Sequence, residues 1–305
     1  MEYHLPVLAN KSIEEMAIKS DGIYVDATFG GGGHSRLILE QLGPKGRLFC
    51  FDQDPDAREN LWEDDRLTFF PANFRYIERF LKMGGIKKVD GILADLGVSS
   101  HQFDTAERGF SFRFDADLDM RMSQNGEVTA ATVLNKYSES ELQKMFSSYG
   151  EVRNSKTLGQ AIVAARNSRA LETIQDLSII LDSVGRGPKN RYYAQVFQAI
   201  RMEVNEEVAV LEDLLSASVN VLKEGGRLVA ISYHSIEDRL VKKLIKTGNV
   251  DGDVEKDFYG NIYRPFRLIS KKAIIPDDAE IKQNPRARSA KMRVAERTSD
   301  LALEK

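Results

Sequence analysis

The sequence predicts an α/β protein in which an all-helical block interrupts a mostly parallel sheet. Near the N-terminus, short apolar segments alternate with turns and helical segments, and several end in aspartate. This alternation is typical of parallel strands joined by right-handed crossovers. From about Glu107 to Val221 we find no convincing strand, and strand patterns resume at Arg227. The predicted sheet domain is 1–105 with 206–305, and the predicted helical insertion is 106–205.

The elements of the first part follow in chain order. Ser12–Glu15 has the capping-box pattern that opens a short helix. The next helical segment stops at Gly43-Pro44, a strong terminator. Between these signals, runs of apolar and aromatic residues predict buried strands. The strands are predicted at 22–26, 47–51, 67–70 and 89–94, and the second helix at 34–42.

Helical spacing dominates the predicted insertion. Ser138–Glu141 is another capping box, and its helix is predicted to end near Gly150. Tyr192–Leu222 carries apolar residues at intervals of three and four, which predicts one long helix before Gly225-Gly226. The other predicted elements are helices at 155–169, 173–184 and 235–246, strands at 227–232, 266–270 and 291–294, and a Gly/Asp-rich loop at 248–262.

The composition of the chain excludes several classes of protein and kinds of site. The chain has 305 residues, of which 42% are hydrophobic and 29% charged, as in ordinary globular proteins. One cysteine, Cys50, excludes an intrachain disulfide framework and gives no cysteine cluster for zinc. No apolar run approaches about 18 residues. Met1–Pro6 lacks the basic and apolar regions of a signal peptide, so we expect a cytoplasmic protein.

Charge gives only a local indication of a partner. The formal net charge of −3 argues against a globally basic nucleic-acid-binding protein. From Arg264 to Arg297, however, ten Lys or Arg residues stand against four Asp or Glu residues. That excess, together with the basic helix 235–246, is compatible with a face that binds phosphates.

A glycine-rich turn after the first strand predicts a nucleoside-cofactor site. Asp26 ends the strand and Gly30–Gly33 follow, where glycine allows backbone to approach a ligand closely. Asp52, 22 positions after Gly30, ends the next strand, where doubly wound folds bind a ribose diol. Ser35 replaces the third glycine of a dinucleotide fingerprint. Asp26 would disfavour a pyrophosphate but suits a cationic methionine group, so S-adenosylmethionine fits better than NAD.

A second group of polar residues follows the fourth and fifth strands. Asp95 ends the fourth, with Ser99, His101 and Gln102 after it, and His234 follows the fifth. Ligands of open α/β sheets bind beyond such strand ends. Ser99 lacks the closing glycine of a nucleophile elbow, which argues against a hydrolase. The other interpretation is that these serines and histidines only cap helices or fill the core.

Aromatic and basic residues lie just beyond this group. Gly109–Phe112 and Leu118–Met122 supply two phenylalanines and an arginine. They could stack on a base. Packing between the two predicted domains is the favoured interpretation.

Eight groups of strings, in order along nearly the whole chain, resemble the bacterial ribosomal RNA small-subunit methyltransferase H family, also called MraW. They are His4–Leu8, Tyr24–Gly30 with Gly32–Ser35, Asp90–Leu93 with Asp95–Ser100, Gly109–Phe112, Leu118–Met122, Phe197–Arg201 with Val204-Asn205, Tyr233–Arg239, and Asn284–Lys291. The resemblance implies a class I (Rossmann-like) methyltransferase sheet. It also implies transfer of a methyl group from S-adenosylmethionine to N4 of a cytidine in 16S rRNA, in the decoding region of the small ribosomal subunit.

The resemblance also implies the site. The cofactor residues would be Gly32, Gly33, His34, Asp52, Phe74, Asp95 and Gln102. The candidate catalytic residues are Asp95, Ser99, His101 and His234, with no metal. The implied partners are 16S rRNA and the small ribosomal subunit; a homodimer stays open. Leu96–Val98 stands where many amino methyltransferases have Asp-Pro-Pro-Tyr, and Tyr233 stands where phenylalanine is expected.

Two other functions compete with this one. An NAD-dependent oxidoreductase would use the same glycine turn, but Ser35 and Asp26 argue against it. A non-catalytic RNA-binding assembly factor could use the basic C-terminal segment. It would leave the glycine turn and the strand-end carboxylates Asp52 and Asp95 without a role.

Overall fold

The computed structural model describes residues 6–254, 256, 258, 260 and 262–299, the side chain of Ser100 excepted. His4 of the first family string therefore lies outside the described residues. The chain divides into two compact units. The first comprises Met1–Gly97 and Val208–Lys305, and the second comprises Val98–Glu207.

The first unit is built on a seven-stranded sheet in the order β3-β2-β1-β4-β5-β7-β6. Strands β1 to β5 pair in parallel, and β7 runs antiparallel between β5 and β6. The strands are β1 Ile23–Asp26, β2 Arg47–Phe51, β3 Leu67–Phe70, β4 Val89–Asp95, β5 Leu222–Ser232, β6 Phe266–Leu268 and β7 Lys291–Arg297. This order is that of a class I methyltransferase sheet, which confirms the predicted fold class.

Apolar residues on both faces of the strands place the sheet between two layers of helices. Along β2, Leu48 and Cys50 join one apolar cluster while Phe49 and Phe51 join another, as the two-residue period of a strand requires. Helices α1 and α2 contribute to the first cluster, and α3, α10 and α11 to the second. The helices of this unit are α1 Ala9–Met16, α2 Gly33–Gln41, α3 Ile77–Met83, α10 Glu207–Val221, α11 Ser235–Thr247 and α12 Asp278–Gln283.

The second unit is helical and has its own apolar core. In the part of it that the structure describes, no strand is present, and its β-type pairing is a single isolated bridge, Asp117 with Thr173. Its helices are α4 Ser100–Asp104, α5 Ala130–Lys136, α6 Glu139–Gly150, α7 Ser155–Arg166, α8 Ile174–Val184 and α9 Lys189–Val204. No helix among the described residues of either unit combines the length and apolarity needed to cross a membrane.

The prediction of one long helix over 192–222 is wrong. The structure has α9 and α10 in its place, with Asn205 at the end of α9 and Glu206 in a left-handed conformation at φ 50°. The Asn205 side chain donates to the carbonyls of Arg201 and Met120 and accepts the Met122 N–H. Because these bonds tie Asn205 to a distant loop, the helix ends there although the apolar spacing continues.

The helix predicted to open at Ser12 begins earlier. Helix α1 starts at Ala9 after Leu8, and Ser12 is fully buried inside it. The Ser12 hydroxyl contacts the Met292 sulfur at 3.6 Å. The capping-box pattern therefore marks a buried helical position at this site.

The segment Leu118–Met122 belongs to the core of the second unit. Leu118, Met120 and Met122 are buried. Arg108 is also buried and donates to the carbonyls of Arg121 and Met122. The segment therefore packs, as predicted, but these contacts lie within the second unit and are not the predicted packing between domains.

Candidate active site

The glycine turn between β1 and α2 presents open space at two positions. Gly30 and Gly32 have φ values of 50° and 73°, a region that favours glycine. A Cβ on Gly31 would meet nothing within 4 Å, and a Cβ on Gly30 would meet only the Thr28 carbonyl at 3.9 Å. The outer part of the turn can therefore receive a ligand directly against the backbone.

The predicted cofactor residues Gly32 and Gly33 face protein instead. A Cβ on Gly32 would lie 2.7 Å from Trp62 and 3.0 Å from Phe29. A Cβ on Gly33 would lie 3.1 Å from Pro6. Packing and a positive φ thus require glycine at position 32, and a Cβ at position 33 would be tight; any contact the two glycines make with a cofactor would involve their backbone. Gly30 and Gly31, which the sequence analysis placed in the turn but not among the cofactor residues, are the two positions with open space.

Asp52 follows β2 and reaches across to the glycine turn. Its Oδ2 accepts the Gly30 N–H at 2.7 Å and its Oδ1 accepts the Asp54 N–H at 2.8 Å. Burial raises its pKa to about 6, although these two hydrogen bonds oppose the change. Each carboxylate oxygen can accept more than one hydrogen bond, so a ribose diol can still bind there.

Phe74 lies in a short turn of 3-10 helix after β3, Phe74–Tyr76. It is half-buried against the apolar cluster that holds Phe49 and Phe51. The preceding Asn73 donates to Gln53 at 2.9 Å, which joins the loops after β2 and β3. Asp52 and Phe74 are thereby attached to two neighbouring loops at one edge of the sheet.

Asp26 supports the turn from inside. It is fully buried; Oδ2 accepts the Ser35 hydroxyl at 2.6 Å and Oδ1 accepts the Thr28 N–H at 3.1 Å. Burial raises its pKa. Since its side chain is fully buried, Asp26 can influence a bound cation through its charge but not by contact.

Asp95, at the end of β4, lies at the centre of the site. Its backbone N–H donates to the Thr28 hydroxyl at 2.8 Å, and Oδ1 accepts the Tyr233 hydroxyl at 2.8 Å. Oδ2 is 3.9 Å from His34 Nδ1. Burial raises the pKa of Asp95 to about 6, opposed by His34 and Tyr233. The side chain still keeps 22% of its surface exposed, so it can reach a ligand.

His34, at the start of α2, is held in one orientation. Its Nε2 is 3.1 Å from the Val7 carbonyl, which can only accept, so Nε2 carries the proton. Nδ1 of the neutral ring is then unprotonated on the side of Asp95. Burial lowers the pKa of His34, which keeps the ring neutral near pH 7. The structure thus brings together His34 and Asp95, both predicted site residues.

Tyr233 completes this group, and sequence reasoning did not assign it a role. Gly97, at φ 105°, is adjacent to its ring: a Cβ on Gly97 would be 3.5 Å from Tyr233 Cδ2. Glu237 accepts the backbone N–H groups of Tyr233 and His234 at 2.9 and 3.1 Å. The predicted catalytic residue His234 is the N-cap of α11. The one sequence signal for Tyr233 was the hydroxyl it carries where phenylalanine is expected.

Three predicted residues belong to the second unit, at helix α4. Ser99 accepts the Gln102 N–H at 3.1 Å, and the Gln102 side chain accepts the Ser99 N–H at 3.0 Å. This pair is a complete capping box. His101 is exposed on the same short helix. Capping therefore accounts for Ser99 and Gln102 structurally, and their predicted contacts with cofactor and substrate stay predictions.

The chemistry of the first unit suits a nucleoside cofactor that carries a positive charge. An open glycine turn adjoins Asp52, and Asp95 lies nearby at the next strand end across β1. Across the described ranges, no group of three or more His, Cys, Asp or Glu side chains could hold a metal ion.

Comparison with known proteins identifies the family. The sequence model of the MraW methylase family matches residues 1–298. This chain belongs to the MraW methylase family. Ribosomal RNA small subunit methyltransferase H from Bacteroides thetaiotaomicron is 54% identical over 298 residues, which are 97% of this chain and 98% of the relative. The protein of the same name from Flavobacterium johnsoniae is 55% identical, again over 97% and 98% of the two chains.

Among solved structures, an rRNA methylase from Streptococcus thermophilus aligns with a TM-score of 0.41 at 10% identity, covering 98% of this chain and 99% of the other. MraW family membership and the class I sheet together make the protein a methyltransferase whose methyl donor is S-adenosylmethionine. The open glycine turn and the acidic strand ends fit that cofactor.

Proposed function

We propose that this MraW family member methylates N4 of one cytidine in 16S rRNA, in the decoding region of the small ribosomal subunit. One observation carries the proposal. The partly exposed carboxylate of Asp95 lies at the end of β4, linked through Thr28 to the turn that faces the cofactor. Such a carboxylate suits an amine as methyl acceptor, because it can accept the amine's hydrogens.

Cofactor binding would involve the turn and two loops. Asp52 would accept the ribose hydroxyls, while Gly30 and Gly31 would lie against the methionine part. Phe74, half-buried after β3, would contact the adenine. His34, Gly32 and Gly33 would shape the floor of this site. When bound, S-adenosylmethionine supplies an electrophilic methyl group on a cationic sulfur.

Asp95 would act on the target amine. The exocyclic nitrogen of cytosine is a poor nucleophile because its lone pair is delocalised into the ring. A carboxylate that accepts its hydrogens favours a pyramidal nitrogen and the positive charge that develops on it. Holding the nitrogen at about 3–3.5 Å from the methyl carbon would supply the rest of the rate enhancement, through proximity and orientation. We propose that the proton then leaves to Asp95 or to water, with His234 as the weaker candidate of the first unit.

Exposed basic residues of the first unit would bind the RNA backbone. Arg239, Lys242 and Lys246 are exposed on α11. In the C-terminal segment, three of the basic residues expected to contact phosphates are engaged within the protein instead. Arg293 pairs with Asp238, Arg267 pairs with Glu296, and Arg297 is buried. The exposed basic residues of the last family string are Arg286, Arg288 and Lys291. These residues would contact phosphates, while the target base leaves its stack to reach the site.

The test is direct. The purified protein is incubated with S-adenosylmethionine and with small subunits whose 16S rRNA lacks this modification. Digested nucleosides are then analysed by mass spectrometry. We expect one N4-methylcytidine per 16S rRNA molecule with the wild-type protein, and its formation at a rate lower by about 100-fold or more with Asp95→Asn. A methyl group on another base, or on no base in either free 16S rRNA or assembled subunits, would exclude the proposed substrate.

A further inference from the structure

The Tyr233 hydroxyl has a specific partner in the site. It donates a hydrogen bond to Asp95 Oδ1 at 2.8 Å. Among the described side chains, no other donates a hydrogen bond to this carboxylate. The contact joins two strand ends, since Asp95 pairs with Ile231 in the β4–β5 ladder and Leu96 donates to the Ile231 carbonyl at 2.9 Å. The sheet itself therefore fixes the separation of the two side chains.

Because of this contact, the two carboxylate oxygens of Asp95 have different surroundings. Oδ1 is engaged by Tyr233, whereas Oδ2 is 3.9 Å from His34 Nδ1, beyond hydrogen-bond distance. The Tyr233 ring lies beside Gly97 and is partly buried against the apolar cluster that holds Val229 and Ile231, and this packing limits its movement. A rigid donor on one oxygen determines the direction in which the other points.

We propose that Tyr233 is a positioning residue of this methyltransferase: its hydroxyl holds Oδ1 of Asp95 so that Oδ2 accepts the hydrogens of the target amine. The proposal rests on the proposed role of Asp95. A phenylalanine at this position would retain the ring packing and lose the donor. The hydroxyl therefore acts through Asp95 and has no contact with the reacting atoms in this scheme.

The same bond stabilises the charged form of Asp95. The groups that face this carboxylate are His34 on α2, Tyr233 after β5 and Asp26 on β1, and Glu237 and Glu280 lie near Tyr233. A carboxylate that accepts two or three hydrogen bonds can have a pKa about two units below its ordinary value, or about one unit per bond. Without the Tyr233 hydroxyl, the Asp95 pKa should therefore rise from about 6 by about one unit.

The first experiment measures the Asp95 carboxyl directly by NMR titration of the apoprotein labelled with ¹³C at the aspartate side chains, with Asp95→Asn to assign the signal. We expect Tyr233→Phe to raise the Asp95 pKa by about one unit. Tyr24→Phe is the matched control. Its hydroxyl is also buried in the first unit but accepts the Lys19 N–H at 2.7 Å, so its loss should leave Asp95 unchanged.

The second experiment measures single-turnover methylation against pH. In Tyr233→Phe the acidic limb of the profile should move upward by the same amount as the Asp95 pKa, whereas a purely structural defect would lower the rate at every pH. If Tyr233→Phe does not fold, 3-fluorotyrosine at position 233 replaces it. This more acidic phenol is a stronger donor, and it should lower the Asp95 pKa.

The proposal is overturned if the Asp95 pKa responds neither to Tyr233→Phe nor to 3-fluorotyrosine at position 233. It is also overturned if the acidic limb of the pH–rate profile stays in place in Tyr233→Phe. The NMR titration needs no substrate. If the wild-type protein methylates no cytidine while the Asp95 pKa still responds to Tyr233, the proposed function fails but the Tyr233–Asp95 coupling stands.

Discussion

Replacing Asp95 by asparagine should lower activity and raise stability at the same time. The change keeps the size of the side chain and removes its charge. The asparagine oxygen can still accept the Tyr233 hydroxyl, and its NH₂ group would face the unprotonated Nδ1 of His34. The Tyr233 hydroxyl therefore keeps its acceptor, and the fold should be retained.

The expected gain in stability follows from the pKa of the group. Burial raises the Asp95 pKa from 3.8 to about 6. The folded protein thus holds the Asp95 proton at pH values where the unfolded chain has released it. The free energy of unfolding is therefore highest, as far as Asp95 is concerned, below about pH 4, and it falls as the pH rises toward 6. At about 1.4 kcal/mol per pKa unit, the charge costs about 3 kcal/mol above pH 6, and asparagine removes that cost.

The expected loss of activity is about 100-fold or more in single-turnover methylation at saturating S-adenosylmethionine, the range of general-base and electrostatic contributions. Denaturant unfolding at pH 5 and pH 7.5 measures the stability, and Asp95→Asn should exceed wild type by more at pH 7.5. Asp90→Asn is the control on the same strand. Although burial alone would raise its pKa, the bond to Lys223 holds the Asp90 pKa below its ordinary value, so this variant should lose stability and keep its rate.

Two results would refute this reasoning. If saturating cofactor restores the full rate of Asp95→Asn, Asp95 is a binding residue and its catalytic assignment is wrong. If rate and stability fall together at both pH values, the side chain has a structural role that asparagine cannot fill.

Three further predictions concern binding. Asp52→Ala should weaken S-adenosylmethionine binding at least about tenfold, since hydrogen bonds to a charged acceptor are each worth about 1.5–3 kcal/mol; unchanged calorimetric affinity would remove Asp52 from the site. Substituting Arg286, Arg288 and Lys291 together should lower RNA affinity and flatten its salt dependence while cofactor affinity stays the same; an unaltered salt slope would place the RNA elsewhere. Near pH 6, S-adenosylmethionine should release more protons on binding than the uncharged thioether S-adenosylhomocysteine, because its sulfonium favours ionised Asp52 and Asp95. Calorimetry in buffers of different ionisation enthalpy measures this, and equal release would contradict a carboxylate-lined sulfonium site.

The sheet could be predicted because its central strands, β1, β2 and β4, are apolar and largely buried on both faces. β2 and β3 have the bounds that their apolar runs predicted, and all seven strands were anticipated. The break between α9 and α10 could not be found in the same way. It depends on the side chain of Asn205 and the backbone of Met120 and Met122, residues more than 80 positions apart in sequence.

The same distinction separates the site residues that could be predicted from sequence from those that could not. Asp52 and Asp95 could be located from sequence, because residues at the carboxyl ends of neighbouring parallel strands lie at one edge of the sheet. Tyr233 could not be assigned, since its role depends on a 2.8 Å contact between side chains 138 positions apart. The glycine turn was found, but only the backbone geometry distinguishes Gly30 and Gly31, which face open space, from Gly32 and Gly33, which face packed side chains.

Three carboxylates follow or end β1, β2 and β4, and their surroundings give them different chemistry. Asp26 is fully buried with both oxygens bonded inside the protein, so it contributes charge only. Asp52 uses one backbone bond on each oxygen to hold the turn and retains lone pairs for a ligand. Asp95 has Oδ1 fixed by Tyr233 and Oδ2 available. Burial raises the pKa of all three, and the charge of Asp26 raises the pKa of the other two further. A cationic ligand would reverse this penalty, because it stabilises the ionised carboxylates that burial disfavours. The sulfonium of the methyl donor would therefore prepare Asp95 as an acceptor for the target amine.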